Sequence, residues 1–149
     1  MKHLVKKHIS QCMLYSFAMV LDVEPDYIIE LLGHDGTEIF WPELREPKCY
    51  KGFHITEMAY TCYRFYHTCY EFPSALSLGH SDDTEKYIHP IFSINGIISS
   101  NNGVFITPNH ALAWDAANQK ILDPNGTERK LSDINWDFFY LVQPLIVPF

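Results

Sequence analysis

The hydrophobic pattern changes period once along the chain, and that change constrains the fold more than any other feature. Between Cys12 and Leu21, apolar side chains stand at Met13, Leu14, Phe17, Ala18, Val20 and Leu21, a helical spacing with a stripe wide enough to be mostly buried. A second helix follows at once: Glu24-Pro25-Asp26 puts proline near the first helical position and acids in the first turn. Tyr27, Ile28, Leu31 and Leu32 form its stripe, and Gly33 ends it. A third helix is expected over residues 56–66 and a short strand over 69–72, stopped by Pro73. From there the apolar runs become short and β-branched or aromatic, at 104–107, 111–114, 120–122 and 138–142, with Asn, Gly, Pro and Asp between them. Helices first and strands second predict an α+β fold, its N-terminal helices packed on a C-terminal antiparallel sheet.

A chain of 149 residues makes one domain, 1–149, large enough to bury roughly 70% of its unfolded surface. Its net charge is −7 and no basic run exceeds Lys6-Lys7, which argues against a nucleic-acid partner. Met1-Lys2-His3-Leu4-Val5-Lys6-Lys7 lacks the apolar stretch of a secretory signal, and no run approaches a membrane span. A cytoplasmic location and no membrane partner are the expectation. The four cysteines, Cys12, Cys49, Cys62 and Cys69, form no C-x-x-C pair, and the eight histidines are scattered. Cys62, His67 and Cys69 are the nearest approach to a ligand set, so no metal is expected and a zinc-stabilised interaction domain is the weakest of the readings.

Three residues carry candidate chemistry. Cys12 opens the first helix, where the helix dipole and a neighbouring imidazolium lower a thiol pKa, and where its own N–H can help hold an oxyanion. His110 leads the run Ala111-Leu112-Ala113-Trp114-Asp115. If residues 111–115 and 119–123 form a hairpin across Ala116-Ala117-Asn118, with Asn118 taking the left-handed position, His110 falls beside Asp123 or Pro124. A cross-strand carboxylate can then orient the imidazole. Asp115 is the rival orienter, but it lies at the turn end of the hairpin. The plainer alternative is a small buried residue in a helix and a strand-end histidine beside an ordinary Asp-Pro-Asn-Gly turn.

The order Cys, His, Asp on a helix head, a strand head and a strand end is that of papain-like cysteine peptidases. Gln11-Cys12 through Ala18-Met19-Val20-Leu21, with His110-Ala111-Leu112-Ala113-Trp114-Asp115 and Leu122-Asp123-Pro124-Asn125-Gly126, resembles the C39-like branch of that superfamily. The resemblance covers both ends of the chain and little of residues 34–100. It implies a minimal papain-like fold, with Cys12 as nucleophile, His110 as general base and Asp123 as orienter. The family's oxyanion glutamine commonly stands six residues before the cysteine, and here Lys6 occupies that position. Lys6 and the adjacent Gln11 are the two candidate oxyanion donors.

The reading that follows is a thiol hydrolase cleaving a peptide or related amide bond through an acyl-enzyme, with a peptide or protein substrate and no cofactor. Deamidation and acyl transfer use the same apparatus. The alternative is a papain-like scaffold, catalytically weak or inactive, that binds a peptide, a protein or a small metabolite in the same cleft. Tyr15, Phe40, Trp41, Phe53 and Trp114 are aromatic candidates for lining that cleft, and Trp41, His54 and Trp114 are the candidate substrate contacts. His34-Asp35-Gly36 and Gly52-Phe53-His54 are polar and aromatic tips of the long connection over 34–52.

Overall fold

The computed structural model describes residues 1–38, 52–65, 102–106, 110–130 and 133, together with the backbone alone of 67–72, 107 and 140–146. Within them the fold is α+β. Helices α1 (Cys12–Leu21), α2 (Pro25–Leu32) and α3 (Ile55–Arg64) precede strands β1 (His67–Phe72), β2 (Gly103–Thr107), β3 (His110–Asp115), β4 (Lys120–Leu122), β5 (Glu128–Arg129) and β6 (Tyr140–Ile146). Every strand pairing is antiparallel, in the order β1-β6-β2-β3-β4-β5. Pro144 falls in β6 beyond the described residues that pair with β2, and among the described residues its partner there is Cys69 of β1.

Cap chemistry fixes the helix ends. A 3-10 turn, Ile9–Gln11, runs directly into α1, and His8 caps it by accepting the Ser10 N–H at 3.2 Å. At the other end, Asp22 is left-handed at φ 56, and the pair Val23 N–H to Ala18 and Asp22 N–H to Met19 forms a Schellman motif. α2 begins at Pro25 and stops at a left-handed Gly33. α3 opens on a reciprocal capping box, in which His54 Nδ1 accepts from Thr56 and Glu57 Oε1 accepts from the His54 N–H.

α1 is the centre of the molecule. Leu14, Phe17, Ala18 and Leu21 join Ile28 of α2, Met58 and Cys62 of α3, and Val104, Ile106 and Ala111 of the sheet in one buried cluster. Met19 meets Ala113 and Leu122 in a second. The alternate residues Phe105, Leu112, Trp114 and Ile121 are also buried, so both faces of β2–β4 are dry. Each fully buried Leu or Phe in this set contributes about 1.5–3 kcal/mol.

The N-terminal segment is strapped along the β4 end of the sheet. Leu4 donates its N–H to the Met19 sulfur, His3 Nε2 bonds the Asp123 carbonyl at 2.7 Å, and the Lys6 N–H donates to the Pro124 carbonyl at 2.8 Å. The β4–β5 turn that receives these bonds closes on itself. Asp123 N–H donates to Thr127, Gly126 N–H returns to the Asp123 carbonyl, and Gly126 holds φ 101 beside the Val5 side chain.

Candidate active site

β3 brings His110 to one end of the sheet, and the hairpin to β4 decides what stands beside it. The register pairs Trp114 with Ile121 and Ala113 with Leu122. Continued, it sets His110 opposite Asn125 and leaves Asp123 two residues away, a diagonal neighbour on the same face. His110 Nε2 and Asp123 Oδ2 are 3.2 Å apart. The turn differs in one detail from the sequence expectation: Gln119, not Asn118, takes the left-handed position at φ 52. Asn118 instead turns its amide back to Asp115 Oδ2 at 2.9 Å, since a four-residue connection needs its positive φ at the last place. Asp115 is thereby engaged at the far end of β3, about 17 Å of strand from His110.

Asp123 is fully buried and its carboxylate is saturated. Oδ1 accepts the Asn125 N–H at 3.0 Å, while Oδ2 accepts from His110 and from Arg129 Nε, both at 3.2 Å. Burial pushes this carboxyl up, but the Asn125 N–H, His110 and Arg129 together outweigh it and hold it below the usual carboxylate value. Arg129 enters from β5, opposite Ile121, and its side chain is 41% exposed. Nothing in the sequence reading singled it out, because one basic residue after a turn is an ordinary strand-edge feature.

Cys12 lies at the junction of the 3-10 turn and α1, in the same buried cluster as Ala111. Only 8% of it is exposed. Its thiol donates to the Ile9 carbonyl at 3.6 Å, Lys6 Nζ donates to its sulfur at 3.0 Å, and His110 is a further polar neighbour that favours the thiolate. Burial raises the thiol pKa, yet the hydrogen bonds and charges of His110 and Lys6 more than reverse this, and the thiol ends below its ordinary value. His110 is shifted the opposite way: the Cys12 contact raises it most, desolvation lowers it, and Asp123 raises it further, for a net rise. A lowered thiol against a raised imidazole is the arrangement that favours a thiolate–imidazolium pair.

The two candidate oxyanion donors part company. Lys6 stands on the sulfur. Gln11 does not: the 3-10 turn carries it away, its Nε2 donates to the Asp35 carbonyl at 3.0 Å, and its Oε1 is buried without a partner. Residues 34–37 are in turn pinned to the body. His34 bonds Glu57 Oε2 at 2.6 Å and stacks on Phe53 at 4.6 Å, and a Cβ on Gly36 would meet the Phe53 ring at 2.5 Å.

The candidate substrate contacts do not gather at the thiol. Trp114 is fully buried against Phe105, so it presents no surface to a ligand, and a β3 residue four positions from His110 is too far along the strand to reach the sulfur. Tyr15 and Phe53 are core residues as well. His54 caps α3, its Nδ1 shared between the backbone N–H and hydroxyl of Thr56. Phe40 and Trp41 lie outside the described residues, as do Cys49 and all of residues 73–101. Cys62 is packed in the core, and among the described residues no three His, Cys, Asp or Glu side chains gather as a metal site would need. Among the same residues, no helix is long and apolar enough to cross a membrane. Compared with protein-family models, curated proteins and solved structures, the chain has no match.

Proposed function

We propose that this chain is a minimal papain-like thiol hydrolase that cleaves a peptide or related amide bond. The observation that carries the reading is a continuous relay, Asp123 to His110 to Cys12, closed on the sulfur side by Lys6. The N-terminal segment, the head of α1, the head of β3 and the β4–β5 turn converge to build it. The thiolate of Cys12 attacks the carbonyl carbon, and the Lys6 ammonium, already 3.0 Å from the sulfur, moves onto the oxyanion that forms. His110 passes its proton to the leaving amine as the C–N bond breaks. It then takes a proton from water, whose oxygen attacks the acyl-enzyme and frees the thiol. Asp123 stabilises the imidazolium at each stage and, pinned by Asn125 and Arg129, fixes the ring.

The test is the alkylation rate of each cysteine by iodoacetamide at about pH 6, where an unperturbed thiol is almost wholly protonated. Cys12 is expected to react far faster than Cys49, Cys62 and Cys69, and His110→Ala is expected to abolish that lead. A Cys12 no faster than the others defeats the hydrolase reading. The second reading, a binding scaffold of the same ancestry, draws on the low exposure of Cys12 and on a separate cavity of about 350 Å³. That cavity is lined by Leu4, Met19, Val23, Tyr27 and Phe65, away from the relay. An unreactive Cys12 together with ligand-induced stabilisation of the fold would favour it.

A further inference from the structure

Lys6 and Cys12 put an amine and a thiol, two groups that ordinarily meet only by collision, in standing contact. The Lys6 ammonium donates to the Cys12 sulfur at 3.0 Å. Both ends of that contact are rooted. The Lys6 N–H is bonded to the Pro124 carbonyl at 2.8 Å, His3 Nε2 is bonded to the Asp123 carbonyl at 2.7 Å, and Cys12 opens α1 in the buried cluster. Lys6 is half-buried where Lys7 beside it is exposed, so its side chain is turned in onto the sulfur rather than out to water. In the hydrolase reading the ammonium only steers charge, and its nitrogen bonds covalently to nothing. Contact between these two atoms has a second chemistry that needs no substrate.

That chemistry begins with oxidation of the sulfur. A thiolate takes an oxygen from a hydroperoxide to become a sulfenic acid, which condenses with a thiol to a disulfide or with a nitrogen to a sulfenamide. Left alone, it passes on to the irreversible sulfinic acid. Burial opposes ionisation of Cys12, but His110 and Lys6 together favour the thiolate, the form that attacks peroxide. With only 8% of Cys12 exposed, a small hydroperoxide reaches the sulfur more readily than a bulky thiol does. The nitrogen at hand is Lys6 Nζ. A group held in contact competes at an effective concentration on the order of 10⁵ M or more, so condensation outruns the second peroxide encounter that overoxidation needs.

We infer that a hydroperoxide joins Cys12 Sγ to Lys6 Nζ through a covalent S–N bond, a sulfenamide that closes the thiol reversibly and spares it from overoxidation. With hydrogen peroxide, the thiolate sulfur attacks one oxygen, the O–O bond breaks, and the departing hydroxide takes a proton from the Lys6 ammonium to leave as water. A sulfenic acid then stands beside a neutral amine. The amine lone pair attacks the sulfur, the S–O bond breaks, and the hydroxyl leaves as a second water with a proton from the nitrogen. The sulfur has given up two electrons and the peroxide has taken them. A dissolved thiol reverses the link by attacking the sulfur. The S–N bond breaks, the Lys6 nitrogen takes the thiol's proton, and a second thiol frees Cys12 from the mixed disulfide. The link needs the sulfur and the amine alone, so it does not rest on amide hydrolysis.

The test is a non-reducing tryptic map of the full chain after a small excess of hydrogen peroxide. Residues 3–7 and 8–45 are expected as one species, uncut after Lys6, lighter by two hydrogens than the two peptides together, and separated by dithiothreitol. Iodoacetamide labelling of Cys12 should be lost in step and return with the reductant. Lys6→Arg keeps a cation on the sulfur but offers no free amine, because a guanidinium holds its charge. In that variant the link is expected to vanish, dimedone to capture a sulfenic acid that the unaltered chain barely shows, and Cys12 to pass on to a sulfinic acid that dithiothreitol does not reverse. Cys12 reaching the sulfinic acid as fast in the unaltered chain as in Lys6→Arg overturns the inference. So does a Cys12 that pairs with Cys49, Cys62 or Cys69 instead, or one inert to peroxide. Should Lys6→Arg not fold, the map of the unaltered chain decides by itself. A Cys12 that is alkylated fast yet never linked to Lys6 overturns the inference and leaves the hydrolase reading standing.

Discussion

At the scale of single residues, the site is a problem in proton placement. Cys12 is shifted below the ordinary thiol value of 9.0 and His110 above the ordinary imidazole value of 6.5, so both shifts act in the direction that favours the ion pair. The rate of Cys12 alkylation should therefore rise along an acid limb displaced below that of a free thiol, and the pair should titrate as a unit. Lys6 supplies part of that displacement. Lys6→Met is expected to move the acid limb upward and to slow alkylation at about pH 6 several-fold; Lys6→Arg should retain most of the rate. Cys12, His110 and Asp123 were legible because their order and their places on helix, strand and turn are local facts of the sequence. Lys6 was legible only as a lysine where a glutamine was awaited. Arg129 was not legible at all, since its meaning comes from sharing one oxygen of Asp123 with His110, a contact made in three dimensions. Gln11 was misplaced because a single turn of 3-10 helix before Cys12 rotates it toward Asp35.

At the scale of elements, chemistry at the ends decided what could be read. α1 ends at Leu21 and α2 runs from Pro25 to Gly33's edge, where proline, acids and glycine mark the boundaries in the sequence. The third helix begins one residue before its expected start and stops at Arg64, because His54 and Glu57 form the capping box and no strong stop signal follows. The position of β6 between β1 and β2 was beyond sequence reasoning, since strand order across a sheet is set by contacts far apart in the chain. The segment 34–37 looked like an ordinary turn, yet it is held by His34, Phe53, Glu57 and Gln11. Gly36→Ala tests that attachment. The added Cβ would press 2.5 Å from the Phe53 ring at a φ of 81, so a loss of about 1–3 kcal/mol is expected in denaturant unfolding. The same variant should leave the Cys12 acid limb where it was, because Gln11 does not touch the sulfur.

At the scale of the whole molecule, the relay and the core are the same object. Cys12 and Ala111 share a buried cluster, Asp123 is sealed beneath the strap of residues 3–6, and α1 touches every layer. Enhanced Cys12 reactivity should consequently vanish in the same cooperative transition as helical circular dichroism when denaturant is added. Acid should act through Asp123. Its folded value lies below its ordinary 3.8, so the stability it contributes is present in full above that value and is lost as pH falls through the lower one. Asp123→Asn is expected to flatten this acid dependence and, by leaving Arg129 and His110 without their shared anion, to lower the midpoint of unfolding at neutral pH.

The strap has one more consequence. Lys6 hangs by its backbone from the carbonyl of Pro124, the residue after the carboxylate that steadies His110, and His3 hangs from the carbonyl of Asp123 itself. The cation that sharpens the sulfur and the anion that sharpens the base therefore ride on one knuckle of chain. A displacement of that knuckle would detune both partners at once.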